Sequence, residues 1–299
     1  MKTAYLFSGQ GSQYIGMNRI FPKNYTDLAS HFFELSNKIL NYNIYDIIKN
    51  GPEDKLNNTK YTQPAIFIIS SIAYNVYKEK GEKPVFCAGH SVGEITALYA
   101  SGALKFKEAL SFIQERAESM EYASKINPGK MLALIKPSKE HIKNIIKKDP
   151  SISIANINSA NQIILSGSVK SIDNIIPFCR GIKVRAIPLP VSGAFHSNLM
   201  KPASDSLLKT LNQLNLTDSM MPIYQNINAL PENQKDTLRE NLKEQITSSV
   251  QWKDTIDNMI KDGATHFIEI GPKKILTNLI QKSHKDIQAE SFEDLTLNE

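Results

Sequence analysis

Gly89-His90-Ser91-Val92-Gly93-Glu94 places a serine between two glycines, and the residues around it decide what that serine could do. Lys83-Pro84-Val85-Phe86-Cys87-Ala88 reads as a short apolar strand, and Ile95-Thr96-Ala97-Leu98-Tyr99-Ala100 has the apolar spacing of a helix. A Gly-x-Ser-x-Gly turn between a strand and a helix presents its hydroxyl as a nucleophile, and the free N–H groups of the helix start face whatever the oxygen attacks. In an ordinary turn the same pattern does nothing, so the serine needs chemical partners.

The first partner is a base. Of six histidines, His90 belongs to the turn itself, where its side chain points away from that of Ser91. His31, His141 and His284 lie in stretches that read as helix or polar surface, and His266 falls in a late strand. His196 follows Pro190-Val191-Ser192-Gly193-Ala194-Phe195 at a change of pattern in the chain, and it is the candidate general base. A cation near the nucleophile is the second feature of interest. Only five of the 35 basic residues are arginine, and Arg116 lies 25 residues beyond Ser91.

The elements that must position these groups fall into two blocks. Up to about residue 126 the chain alternates strand-like and helix-like stretches: Ala4 to Phe7, then helices over Tyr25 to Leu40 and Gln63 to Lys80, then the serine turn. After Asn127-Pro128-Gly129 the order becomes strand (Met131 to Ile135), helix (Lys139 to Lys148), strands (Ser151 to Asn158 and Gln162 to Ser166), helix (Ser171 to Cys179) and strand (Lys183 to Pro188). That is the β-α-β-β-α-β order of a ferredoxin-like unit. The predicted fold is therefore α/β: a large α/β-hydrolase-like catalytic domain from residues 1–126 and 196–299, with a small ferredoxin-like lobe, 127–195, inserted in it. The strand Thr265 to Ile270 ends the large domain's pattern, and the polar tail beyond about Ser283 is expected to be loosely held. The cleft between the lobes is the expected substrate site.

Composition narrows the class further. A chain of 299 residues, 41% hydrophobic, supports one large core and a smaller one. Its apolar runs are too short for a membrane span, and Met1-Lys2-Thr3 leads straight into a strand-like stretch, so a cytoplasmic location is expected. Cys87 and Cys179 have no metal-ligand spacing, and no metal or disulfide is expected. The net charge of +5 is spread along the chain without interleaved aromatics, which favours an acidic protein partner over nucleic acid. Lys139, Lys143 and Lys147, four residues apart on one helix face, are candidates for meeting such a partner. A monomer is expected.

Three segments together, Phe7-Ser8-Gly9-Gln10-Gly11-Ser12-Gln13, Gly89-His90-Ser91-Val92-Gly93-Glu94 and Gly193-Ala194-Phe195-His196-Ser197, resemble the signatures of the malonyl-CoA:acyl carrier protein transacylases. Tyr61-Thr62-Gln63-Pro64-Ala65, Asn156-Ile157-Asn158-Ser159, Val250-Gln251-Trp252 and Ile270-Gly271-Pro272 extend the resemblance along the whole chain. It implies Ser91 as nucleophile, His196 as base, and backbone N–H groups of Gln10 and Val92 as the oxyanion hole. It further implies Gln251 as the neutral partner that orients His196, and Arg116 as the group that binds the substrate carboxylate. Asp254 and Asp257, close to Gln251, are read as solvent-facing rather than as a triad acid. Ser8 stands where the family often has proline, and Val92 where it often has leucine.

The activity implied is transfer of malonyl from malonyl-CoA to the phosphopantetheine thiol of an acyl carrier protein through an acyl-serine, with no cofactor beyond the substrates. The Leu56 to Pro64 and Gly193 to Ser197 segments look more like the stand-alone members that load polyketide synthase carrier domains in trans, the setting of antibiotic biosynthesis. The alternative is the transacylase of fatty acid synthesis. An acyl hydrolase with the same dyad is a further reading, although related proofreading hydrolases lack the arginine. The remaining reading, a carrier-protein docking module with a relic site, is favoured only by the basic surface.

Overall fold

The computed structural model describes residues 2–81, 83–191 and 193–297. Ser192, in the approach to His196, lies outside the described residues. Among these residues ten strands form two sheets. The larger contains β1 (Thr3–Phe7), β2 (Phe86–Gly89), β7 (Ile223–Tyr224), β8 (Pro231–Glu232), β9 (His266–Ile270) and β10 (Gln288–Ser291), in the order β10-β9-β1-β2-β7-β8. All its neighbours pair in parallel except β8 on β7. Its central strands are buried from end to end, which is why Ala4-Tyr5-Leu6-Phe7 and Phe267-Ile268 read as continuous apolar runs rather than as alternation.

Helices cover both faces. Tyr5, Phe7, Phe67, Ile95 and Ile113 share the main core, while Trp252, Phe267 and Ile280 pack in a second cluster that also holds Ala4 and Leu6. Thr59–Lys80 and Phe106–Ile126 are the long helices that carry Gln63 and Arg116 to the centre of the molecule.

The smaller sheet contains β3 (Gly129–Ile135), β4 (Ser153–Ser159), β5 (Gln162–Ser168) and β6 (Arg185–Pro188), ordered β4-β5-β3-β6 and antiparallel throughout. Helices Lys139–Lys148 and Val169–Gly181 connect it in the β-α-β-β-α-β sequence. Leu132, Leu134, Ile145, Leu165 and Ile172 form its own core. His141 caps the first helix: its side chain and that of Ser138 exchange hydrogen bonds with each other's backbone N–H, which accounts for this histidine structurally. The lobes are joined at β4, where Val250 N–H donates to Ala155 O at 2.8 Å and Ile157 N–H donates to Val250 O at 2.9 Å.

One expectation needs correction. The tail after Ser283 is docked: β10 pairs with β9, and Phe292, fully buried, packs at 6.2 Å from Phe21. Ala289, Ser291 and Phe292 are buried there, and two apolar side chains among polar neighbours hid a sheet-edge strand and a short helix, Phe292–Leu297.

Candidate active site

β2 ends at Gly89, and helix Val92–Ala100 begins one residue after Ser91. The turn between them leaves no room at its start: a Cβ on Gly89 would stand 1.9 Å from the Gly93 carbonyl. Ser91 itself is held at φ 53°, ψ −110°, a conformation that L-residues avoid and that a surrounding structure must impose. Asn226 imposes it. Its Oδ1 accepts from Ser91 N–H at 2.7 Å, its Nδ2 donates to Gly89 O at 2.7 Å, and its own backbone N–H donates to Glu94 Oε2 at 2.8 Å.

Ser91 Oγ lies 2.9 Å from His196 Nε2. The other ring nitrogen, Nδ1, faces two backbone carbonyls, Gln245 O at 3.0 Å and Ser248 O at 3.1 Å. Carbonyl oxygens can only accept, so Nδ1 carries the proton and Nε2 presents a lone pair to the serine hydroxyl. Burial above all, then the Arg116 charge, pushes the His196 pKa down to about 3, so the ring is neutral at ordinary pH.

Gln251 is not the group that orients this ring. It caps helix Trp252–Lys261, and its backbone N–H donates to Asn226 O at 2.8 Å. The orienting carbonyls come from the end of helix Lys235–Gln245 and the turn after it, where the last carbonyls of a helix lack intrahelical partners. Asp254 and Asp257 bond to Lys253, and Asp257 also meets His284 at 2.9 Å, so neither approaches His196.

Arg116 is 1% exposed, and its charge is met by neutral oxygens. Nη1 donates to Gln63 Oε1 at 2.6 Å, and Nη2 to Gln245 Oε1 at 2.9 Å and to Ser91 Oγ at 3.2 Å. Burial lowers its pKa to about 10, opposed by Glu94, so the guanidinium stays cationic at neutral pH. Glu94, behind the elbow, is pushed up to about 7 by burial, against the pull of Asn226 and Gln245 hydrogen bonds and of Arg116. The site thus holds a cation whose surroundings supply little negative charge, an arrangement suited to an incoming carboxylate.

A cavity of about 330 Å³ opens onto Ser91 and His196 between the lobes. Gln10 and Val92 both line it, and among the described residues neither backbone N–H has an acceptor. The Gln10 side chain turns away, donating to Thr59 Oγ1 at 3.3 Å. Met131, Ala133 and Ile164 of the small sheet close the cavity opposite the elbow, and Asn158 accepts a contact from His90 Nε2 at 2.9 Å. A second concavity, about 450 Å³ around Asn18, Phe33 and Tyr45, contains none of these residues.

The structure brings Ser91, His196, Arg116, Gln10 and Val92 together, and it adds Gln245 and Asn226, which the sequence does not single out. Gln245 ends a helix, Lys-Asp-Thr-Leu-Arg-Glu-Asn-Leu-Lys-Glu-Gln, whose charge reads as solvated surface. Asn226 lies beside a two-residue strand, too short to show a period.

The family model described as acyl transferase domain matches residues 4–297. A malonyl CoA-acyl carrier protein transacylase of a Synechocystis species is 35% identical over 296 residues, covering 99% of this chain and 98% of that protein. One from Bacillus subtilis is 36% identical over 299 residues, covering 98% of this chain and 94% of that protein. Among solved structures, a malonyl CoA-acyl carrier protein transacylase from Coxiella burnetii superposes with a TM-score of 0.94 at 28% identity, covering 100% of this chain and 96% of that one.

Proposed function

The chain belongs to the acyl transferase domain family and is an acyltransferase, and within that family we propose that it moves malonyl from malonyl-CoA to the phosphopantetheine thiol of an acyl carrier protein. The observation that carries the reading is Arg116, a buried cation bonded to the nucleophile's own oxygen.

In the first half-reaction His196 Nε2 takes the Ser91 proton as Oγ attacks the thioester carbonyl. The oxyanion receives the Gln10 and Val92 N–H groups, the C–S bond breaks, and the leaving thiolate takes the proton back from His196. In the second half-reaction the carrier thiol gives its proton to His196 and attacks the seryl ester, and Ser91 recovers the proton. Two neutral carbonyls on Nδ1 hold the ring without an ion pair. The Arg116 fork turns from Ser91 Oγ to the malonyl carboxylate, with Gln63 and Gln245 keeping it in place. All the chemistry lies in the thioester and the side chains, and no resident cofactor takes part.

The setting we propose is fatty acid synthesis rather than loading of polyketide carriers in trans. The relatives named above are malonyl CoA-acyl carrier protein transacylases of nearly this chain's length, which supports that choice. The segments on which a polyketide role was expected have local structural tasks. Gln63 binds Arg116, and Gly193 lies against Ser124, where a Cβ would come within 2.2 Å of its hydroxyl. The first belongs to the acyl site, which either pathway shares, and the second is packing in the approach to His196. Lys139, Lys143 and Lys147 are exposed on the small lobe and form our candidate contact for an acidic carrier.

The test is competition. Malonyl-enzyme offered equal amounts of a fatty-acid carrier protein and a polyketide carrier domain is expected to load the fatty-acid carrier at least about tenfold faster, a discrimination of about 1.4 kcal/mol. Preference for the polyketide domain would reverse the assignment.

A further inference from the structure

Contacts at Ser8 and Gly11 tie the loop around Gln10 to the far end of the chain, Ser8 Oγ also lying 3.5 Å from Pro272 O, and the roles assigned above use none of them. Ser8 Oγ, buried, donates to Glu269 Oε1 at 3.1 Å. Glu269 lies on β9 opposite Leu6 of β1, and its Oε2 accepts from Thr277 N–H at 2.8 Å in the first turn of helix Ile275–Ser283. This carboxylate is therefore fixed between the end of β1 and a helix start. On the other side of the loop, Lys273 Nζ donates to Gly11 O at 3.2 Å. Lys273 is itself anchored, since its backbone N–H donates to Glu293 Oε1 at 2.8 Å, the oxygen that also accepts from Tyr14 OH at 2.7 Å. Gln10 lies between these two tied neighbours. The loop rests directly on the elbow: a Cβ on Gly9 would stand 2.5 Å from His90 O.

We propose that Ser8 and Glu269 are positioning residues for acyl transfer, their hydrogen bond fixing where the Gln10 N–H points in the cavity. The inference rests on the reading of Gln10 N–H as an oxyanion donor. Such a donor acts only when it is aimed at the place where charge develops, and losing one outright costs about 10²- to 10³-fold in rate. Loosening the loop misaims the donor without removing it, so the effect is smaller and falls on turnover rather than on substrate binding.

Ser8→Ala deletes one oxygen from a buried site, and Glu269→Gln leaves the volume unchanged. Each variant is titrated by its burst with p-nitrophenyl acetate, which acylates serine without needing a carboxylate, and malonyl transfer is then expressed per titrated Ser91. The expected result for Ser8→Ala is about a tenfold lower kcat per titrated site with unchanged KM for malonyl-CoA and for the carrier protein. Adding Glu269→Gln to Ser8→Ala should cost little more, because the hydroxyl that Glu269 Oε1 accepts from is already gone and the amide oxygen can still accept from Thr277 N–H. Unchanged kcat per site, or a loss confined to the number of titratable sites, overturns the inference. If wild type takes acetyl from the ester but no malonyl from malonyl-CoA, the malonyl reading fails on its own, and the burst rates still decide this one: slower acylation of Ser8→Ala supports it, and equal acylation overturns it.

Discussion

Arg116 Nη2 donates to Ser91 Oγ at 3.2 Å, so the cation proposed to bind the substrate's carboxylate also touches the atom proposed to attack its thioester. On that proposal one guanidinium lies beside both the attacking oxygen and the carboxylate of a short diacyl group.

Arg116→Ala should therefore change selectivity more than catalysis. Malonylation of Ser91 by malonyl-CoA is expected to slow by on the order of 10²-fold, consistent with loss of a buried charge pair worth 2–5 kcal/mol. Acetylation by acetyl-CoA should change by less than about tenfold, since no carboxylate is involved. Stopped-time mass spectrometry of the acyl-enzyme measures both, and equal losses for the two donors would remove the carboxylate role.

The depressed pKa of His196 fixes the sign of the pH dependence. A base must be unprotonated to work, and a ring titrating at about 3 rather than at the usual 6.5 keeps its lone pair as the medium is acidified. Single-turnover malonylation should thus fall less than about twofold between pH 7 and pH 5. A rate that halves near pH 6.5 would mean the ring titrates normally. The same shift links to stability: between the two pKa values the unfolded chain binds a proton that the folded one does not, so this histidine destabilises the fold as pH drops through that window.

Gln245 and Gln251 should separate cleanly. Gln245→Ala keeps the backbone carbonyl on His196 but removes the oxygen that holds Arg116 and the amide that donates to Ser91 O at 3.1 Å. About a tenfold loss in kcat/KM for malonyl-CoA is expected, roughly 1.4 kcal/mol. Gln251→Ala should stay within about twofold, because among the described residues its hydrogen bonds, with Asn226 and Thr255, run through its backbone. Parallel kinetics of the two variants decide this, and a larger effect at Gln251 would contradict the geometry.

The contrast also shows what the sequence could and could not reveal. Ser91 and its elbow were legible because strand, glycines and helix must be contiguous, and His196 because it follows a break between blocks. Helix Lys139–Lys148 was legible to the residue, since its apolar face and its Ser138 cap are local features. His196's partner was not legible. Choosing between two glutamines six residues apart depends on which carbonyl a helix end and a turn leave free, and that is set by packing against β4. The docked tail was missed for the same reason: β10 gains its stability from β9, and little of that is written in Gln288-Ala289-Glu290-Ser291.

Phe292 gives that tail its test. Replacing this fully buried ring with alanine should cost about 3–5 kcal/mol, read as a lower denaturant midpoint with unchanged slope. A loss below about 1 kcal/mol would mean the tail is only loosely attached after all.

Acyl transfer through Ser91 is read from the intact mass of the protein after exposure to equal malonyl-CoA and acetyl-CoA, followed by addition of a phosphopantetheinylated carrier protein. A single malonyl adduct is expected, absent in Ser91→Ala, that disappears from the enzyme as the same mass appears on the carrier. An adduct that persists in Ser91→Ala, or one lost to water with the carrier unmodified, would contradict it.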